Sequence, residues 1–400
     1  MSLELSKKAL SIKPSATMEI TAKAGEMKNM GMDVVSFGAG EPDFATPEHI
    51  CQAAKRAIDD GFTKYTDAAG TLELREAISR KFHEFNNLDY DPSQIVVSNG
   101  GKHSLTNAFT AIINDGDEVL IPAPYWVSYP AMVTLAGGTP VIVKAKKENS
   151  YKVTVPELEA KWTPKTKALV INSPNNPTGM IYSKDELSAI ADFAVRRDIY
   201  VISDEIYEGL FYTEDRHVSI ASLNDEIYKR TITVNGLAKS YAMTGWRIGY
   251  SGSPREVAKI IKRIQSQQAS NPNSIAQKAA VAAISGDQTC VRKMNEAYNA
   301  RRKYIYKRVC NIKYLSAVEP QGAFYVFVDA REMYGKKYKG QEITSAADIA
   351  KFLLDDYYVA IVPCADFGFD DHFRLSYAIA QDRIEAGMDR IEDFANSLTD

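Results

Sequence analysis

A chain of 400 residues with 45% hydrophobic and 25% charged side chains has globular composition and more core-forming material than one typical domain needs. A formal net charge of -3 and a pI near 6.1 exclude the basic surface that nucleic acid or an anionic membrane would require, leaving small molecules as the expected partners. Cys51, Cys290, Cys310 and Cys364 include no C-x-x-C pair, the five histidines share no metal-ligand spacing, and Met1 to Ser6 has no signal-type apolar core, so the expectation is free thiols, no metal and a cytoplasmic setting.

In chain order, Gly38-Ala39-Gly40-Glu41-Pro42-Asp43 begins like a dinucleotide fingerprint but puts Asp where the third Gly belongs, which argues against a nicotinamide site. Thr71 to Phe85 reads as a packed helix with Leu74, Ile78, Phe82 and Phe85 on one face. The apolar run at 95–98 passes through Gly100 and Gly101 into an amphipathic stretch from Ser104 to Ile113, and a helix opened by glycines leaves backbone N–H groups free to grip a phosphate. Further strands are expected at 118–121, 168–172, 199–204, 231–235 and 248–251, alternating with helices; this is an α/β pattern with a largely parallel sheet. After the fourth apolar strand residue, Ile171, the run Asn172-Ser173-Pro174-Asn175-Asn176-Pro177-Thr178-Gly179 fixes a turn that holds the Asn176 amide in place. Ser183-Lys184-Asp185-Glu186 is a capping box for a helix ending near Arg197. From about residue 290 charged helices dominate around one extended segment, 322–328, and the basic run Arg301-Arg302-Lys303 reads as a solvated face.

Two of these strands deliver chemistry. The run 200–203 ends in Asp204, with the phenol of Tyr207 just beyond, and ligand crevices of α/β sheets lie at that carboxyl edge. One α/β unit later comes Lys239, flanked by Gly236 and Ala238 and followed by Arg247 in Thr244-Gly245-Trp246-Arg247-Ile248-Gly249-Tyr250. A lysine that condenses with an aldehyde needs partial desolvation and small neighbours, a planar guanidinium suits a phosphate dianion, and an anion at a pyridine nitrogen keeps it protonated. Lys239, Arg247 and Asp204 therefore point together to pyridoxal 5'-phosphate (PLP).

Over essentially its whole length the chain resembles the fold-type I, class I PLP-dependent aminotransferases, most closely the bacterial-type aspartate aminotransferases of the branch that includes prephenate aminotransferases. The resemblance rests on Gly40-Glu41-Pro42-Asp43-Phe44, Lys64-Tyr65-Thr66, Pro124-Tyr125-Trp126-Val127-Ser128-Tyr129-Pro130, Asn175 to Gly179, Ser203 to Tyr207, Ala238-Lys239, Gly245 to Tyr250 and Phe373-Arg374-Leu375-Ser376-Tyr377. It implies a large PLP-binding domain at 46–289, with a mostly parallel seven-stranded sheet flanked by helices, and a smaller α+β domain from 1–45 and 290–400. It implies that Lys239 is the Schiff-base lysine, Asp204 the ring-nitrogen partner and Tyr207 with Asn176 the contacts of the ring oxygen. Trp126 would stack on the ring, Arg247 with Gly100, Gly101 and Lys102 would hold phosphate, and Tyr65 would reach the phosphate of a neighbouring subunit in a homodimer with shared sites. Gly40, Arg374, Trp126 and Asn176 would receive the substrate, with Lys102 on the distal carboxylate of a diacid. Cys364 stands where such proteins commonly have Gly, near the approach to Arg374.

The activity so implied is ping-pong transamination between L-aspartate, or a related amino acid, and 2-oxoglutarate, as used in amino acid biosynthesis. The alternatives are an aspartate/prephenate or other class I aminotransferase with broader donors, and, less favoured, a PLP-dependent C-S lyase, which would lack the second half-reaction. A PLP-binding transcription regulator would carry an additional basic DNA-binding domain, which is not expected before residue 40.

Overall fold

The computed structural model describes residues 4–12, 16–214 and 217–400. Its largest element is a seven-stranded sheet: β1 (Ile95–Ser98), β2 (Glu118–Ala123), β3 (Thr139–Lys144), β4 (Thr166–Asn172), β5 (Tyr200–Asp204), β6 (Thr231–Gly236) and β7 (Gly249–Gly252). The spatial order is β1-β7-β6-β5-β4-β2-β3. Neighbours from β6 to β3 run parallel, and β7 is antiparallel to both β1 and β6. β1, β4, β5, β6 and β7 are almost wholly buried because helices cover both faces; β1, β4 and β5 accordingly carry continuous apolar runs, whereas β6 and β7 bury Thr231, Thr233, Asn235 and Ser251 among their apolar residues.

β3 is the one strand of this sheet not expected from the sequence. It pairs only with β2, has Pro140 at its second position, and is largely half-buried or exposed, so it lacks the continuous burial that marks the inner strands. Register matters more for the site. Asn172 lies opposite Asp204 and Asp204 opposite Val234, while Gly236 faces Gly249, so the carboxyl ends of β4, β5 and β6 come level along one edge.

The helix Leu72–Asn86 is capped by the Thr71 hydroxyl, which accepts from the Leu74 N–H, and buries Leu74, Ile78 and Phe82. Phe85 departs from the expected packed face and is 64% exposed, because the chain turns back through left-handed Asn87 and brings Leu88 and Tyr90 into the apolar cluster beneath this helix. The capping box of Lys184–Arg196 is formed as expected, with Ser183 and Glu186 satisfying each other's backbone N–H groups.

A second, antiparallel sheet contains β8 (Ser316–Ala317), β9 (Tyr325–Asp329), β10 (Val362–Pro363) and β11 (His372–Ser376), in the order β10-β11-β9-β8. The short strand Val35–Ser36 pairs in parallel with Val359–Ala360, and Val35 and Phe37 share an apolar cluster with residues of the C-terminal part, from Met294 to Ala395. Of the basic run on helix Thr289–Asn311 only Lys303 is solvated as expected. Arg302 is buried, donating to Glu319 and to the Pro320 carbonyl, and Arg301 pairs with Asp43 at 2.8 Å. Their long side chains tie the helix to the 38–46 loop and to the approach to β9, a long-range pairing that local charge patterning does not reveal. No helix among the described residues is long and apolar enough to cross a membrane.

Candidate active site

Asp204 ends β5 inside the protein. Its Oδ2 accepts a 2.6 Å hydrogen bond from the Tyr129 hydroxyl and its Oδ1 accepts from the Ile206 N–H at 3.3 Å. Burial pushes the carboxyl up to about 6, against the lowering effects of Tyr129, the Ile206 N–H and the more distant Lys239 ammonium. This is a carboxylate short of a cation. Tyr129, which sequence reading left without a role inside the 124–130 motif, is its hydrogen-bond partner; its helix packs on the edge of the same sheet, and only the fold brings the two together.

Lys239 follows β6 and is half-buried. Its ammonium donates to the Gly40 carbonyl and lies 5.9 Å from the Tyr207 ring centroid and 5.8 Å from that of Phe324. Desolvation lowers Lys239 to about 8; Glu41 opposes this, and the Arg374 and Arg247 cations add to it. An amine so placed is in its free-base form for an appreciable fraction of the time near neutral pH, as a nucleophile and proton carrier must be.

Tyr207 is buried, and its hydroxyl exchanges a 2.9 Å hydrogen bond with the hydroxyl of Tyr325 at the start of β9. Tyr325 is a second residue the sequence reading passed over. It also underlies the substrate side: the Arg374 guanidinium lies 4.4 Å from its ring, and a Cβ at Gly40 would stand 3.6 Å from its hydroxyl. Arg374 is buried on β11, donating to Asn176 Oδ1 at 3.0 Å and to the Gly38 carbonyl at 3.2 Å, and its Nε has no partner among the described residues. The Asn176 backbone N–H donates to Asn172 Oδ1 at 2.9 Å, and Asn172 in turn donates to the Asp204 carbonyl, so the turn after β4 is fastened to the end of β5. Cys364, the departure near this arginine, is buried, with its thiol pushed far up by burial and directed at the Val362 carbonyl.

The phosphate-type cradle is formed by the turn after β1 and by Arg247. Gly100 has φ +89, a backbone conformation that demands glycine, and a Cβ there would stand 2.4 Å from an Arg247 guanidinium nitrogen and displace it. Gly101 opens the helix Gly101–Ile112, whose first N–H groups have no intrahelical partner. Arg247 donates to the Thr244 carbonyl at 2.8 Å, and the Lys102 ammonium sits 5.0 Å over the Trp126 ring, lowered in basicity by desolvation and by Arg247. Trp126 is half-buried, with its ring 5.4 Å from Tyr129 in an edge contact.

The fold thus gathers Lys239, Asp204, Tyr207, Asn176, Arg374 and Gly40 around the carboxyl edge of β4 to β6, with Gly100, Gly101, Lys102, Arg247 and Trp126 bordering them. Tyr65 stands apart: it is 89% exposed and makes no hydrogen bond or ring contact among the described residues. PLP fits what is present. A buried carboxylate lacks a cationic partner, a glycine cradle faces a guanidinium at a helix start, and a desolvated lysine lies within electrostatic reach of that carboxylate and that guanidinium.

Comparison with known proteins identifies the family. The family model for aminotransferase class I and II matches residues 32–391. The chain is 45% identical over 395 residues to an aspartate aminotransferase of Geobacillus stearothermophilus, covering 98% of this chain and 99% of that one. It is 46% identical over 390 residues to an aspartate/prephenate aminotransferase of Cereibacter sphaeroides, covering 97% and 98%. Among solved structures, an aspartate aminotransferase from Rhizobium meliloti superposes with a TM-score of 0.96 at 39% identity over the full length of both chains. The Thermus thermophilus aspartate aminotransferase with maleate gives 0.92 at 42% identity, covering 98% of this chain and 100% of that one. With the family model spanning most of its length and relatives of this similarity matching end to end, the chain belongs to the class I and II aminotransferase family and is a PLP-dependent enzyme of that fold.

Proposed function

We propose that this enzyme is an aspartate aminotransferase that moves the amino group of L-aspartate to 2-oxoglutarate in two successive half-reactions. The observation that carries the reading is a desolvated amine, Lys239, within electrostatic reach of both a buried, cation-deficient Asp204 and a buried Arg374 whose Nε has no partner among the described residues. Bound PLP supplies an electron sink for the negative charge that develops at the substrate α-carbon. Asp204 would hold the proton at the ring nitrogen, and Tyr129 would keep that carboxylate ionised and aimed. Lys239 would hold the aldehyde end of the cofactor, then take the α-proton as a free base and return it on the cofactor side. Tyr207, itself oriented by Tyr325, and Asn176 would face the ring oxygen, while Trp126 would cover the ring. Arg247, the Gly100 and Gly101 backbone and Lys102 would hold phosphate.

Arg374 offers a planar fork to the substrate α-carboxylate beside the Gly40 backbone, and Lys102 offers a flexible point charge to the distal carboxylate. A mobile ammonium tolerates both four- and five-carbon diacids, which suits a ping-pong enzyme that must bind aspartate and 2-oxoglutarate in turn. The reading extends to a homodimer in the cytoplasm, because an exposed tyrosine at position 65 with no partner among the described residues is supplied with one if it reaches the phosphate cradle of a second subunit. It also divides the chain into a large unit at 46–289 and a smaller one from 1–45 and 290–400. Use of prephenate as an acceptor is a second reading, favoured by the relatives named for both substrates.

A panel of amino donors against 2-oxoglutarate, oxaloacetate and prephenate tests the substrate, and Lys239→Ala tests the site. Aspartate with 2-oxoglutarate should be the best pair, and Lys239→Ala should fold but lose turnover and the visible absorbance of bound PLP together. A wild-type enzyme inert toward aspartate would overturn the substrate reading, and a fully active Lys239→Ala would overturn the site.

A further inference from the structure

Behind the turn that follows β5 lies a charged cluster that no step above uses. Glu205 points away from Asp204, its neighbour on the strand, and its carboxylate accepts from Ser203 at 2.8 Å, Ser219 at 2.6 Å, Asn86 at 3.3 Å and His217 Nε2 at 3.0 Å. Glu208 accepts from Asn86 at 2.7 Å and is ion-paired with Lys81, whose ammonium also donates to Asn86 Oδ1. The side chains of Glu205 and His217 are 1% and 6% exposed, and those of Lys81 and Glu208 are little more so. Donor atoms of Glu205, Glu208 and His217 lie within 4.8 Å of one another, a spacing that could hold a metal ion, but the Lys81 ammonium already provides the cation there.

Charge counting decides the state of His217. Among the described residues two carboxylates face one lysine, so this group is neutral only with His217 as imidazolium, whose buried Nδ1–H then has no partner among the described residues; the neutral ring would leave one buried carboxylate uncompensated, a costlier arrangement in a poorly solvated site than one unpaired donor. The other titratable groups facing it are the phenols of Tyr90, Tyr241 and Tyr250, all held neutral by burial, and the Asp204 carboxyl on the far side of the strand. The Glu205 and Glu208 carboxylates raise His217 above its ordinary range in spite of burial. The cluster clamps both ends of the turn 205–208, whose backbone is otherwise held by the Glu205 N–H on the Val234 carbonyl and the Glu208 N–H on the Glu205 carbonyl.

We infer that His217, as the imidazolium of a charge-balanced buried quartet with Glu205, Glu208 and Lys81, is a positioning residue for the turn that presents Asp204 and Tyr207 to the cofactor. The inference rests on the reading of Asp204 and Tyr207 as cofactor contacts. A group raised in the folded state contributes stability that is present below its unfolded value and lost as pH rises through the folded one. The stabilising effect of His217 is therefore present at pH 6 and fades as pH rises above the ordinary histidine range.

The test titrates the full-length apoprotein with PLP, and follows thermal unfolding of the PLP-loaded protein, for wild type, His217→Gln and the double variant Glu208→Gln/His217→Gln. His217→Gln should bind PLP about tenfold or more weakly at pH 6, the equivalent of one mispaired buried charge felt at one remove. Its melting temperature should lie below that of wild type at pH 6, and the gap should narrow as pH rises above the ordinary histidine range. In the double variant Lys81 alone balances Glu205, so PLP affinity should return to within about threefold of wild type. Unchanged PLP affinity in His217→Gln, a melting difference that does not vary with pH, or a double variant no better than the single one would overturn the inference. Should His217→Gln fail to fold, recovery of folding and PLP binding in the double variant supports the charge-balance argument, and failure of both sinks it. Failure of wild type itself to bind PLP would instead overturn the functional reading.

Discussion

Tyr129→Phe isolates the pairing that holds Asp204. The substitution keeps the ring and its edge contact with Trp126 and removes only the hydroxyl that donates to Asp204 Oδ2 at 2.6 Å. A hydrogen bond to a charged group contributes about 1.5–3 kcal/mol. At about 1.36 kcal/mol per pKa unit, its loss raises the already elevated Asp204 by about one to two further units. Asp204 stands at about 6 with Tyr129 in place, so without it the carboxyl is largely protonated at neutral pH in the apoprotein and cannot meet a cationic ring nitrogen without first giving up its proton. The expected result is PLP binding weaker by about twofold to fifteenfold at pH 7 and by more at pH 6.5, with the loss regained as pH rises and Asp204 ionises. Absorbance titration of apoprotein with PLP between pH 6.5 and pH 9 measures this directly. Affinity within twofold of wild type across that range would refute the claim that Tyr129 keeps Asp204 charged.

Three further outcomes are expected. Asp204→Asn should still bind PLP yet turn over ~10³-fold more slowly, since an amide cannot keep the ring nitrogen protonated; a loss below tenfold in steady-state rate would reduce Asp204 to a turn cap. Lys102→Ala should weaken the use of aspartate and 2-oxoglutarate by ~10-fold or more, through one lost charge-assisted bond of about 1.5–3 kcal/mol, and change slow turnover of alanine much less; equal losses on both substrate classes would remove Lys102 from specificity. His372, buried between Asp371 at 2.6 Å and the Tyr151 hydroxyl at 2.7 Å, is held below its ordinary range by desolvation, so its contribution is present above the unfolded value and lost as pH falls. The melting temperature of His372→Gln relative to wild type should therefore be lowest near neutral pH and recover toward pH 5, and a pH-independent difference would contradict that assignment.

Much of this enzyme is determined locally and is legible in the chain. Strands β1, β4 and β5 announce themselves because burial on both faces gives unbroken apolar runs, and Gly100 is dictated by the positive φ of its turn. Lys239, Asp204 and Arg247 sit at or beyond strand ends, where the sheet itself fixes their edge. Edge strand β3 escaped because a half-exposed strand carrying proline has neither signal, and Phe85 escaped because helical periodicity specifies a face but not how far along it the core extends. What tertiary structure alone decided is partnership. Tyr129 with Asp204, Tyr207 with Tyr325, Arg374 with Asn176 and Gly38, and Glu205 with His217, Asn86 and the neighbouring Lys81–Glu208 pair mostly join residues far apart in the chain. Amphipathic spacing records that a side chain is buried, not what it is buried against, and the ionisation of a buried group depends on that neighbour. The electrostatics that make Lys239 a weak base and Asp204 a strained anion therefore became visible only when the layers were assembled.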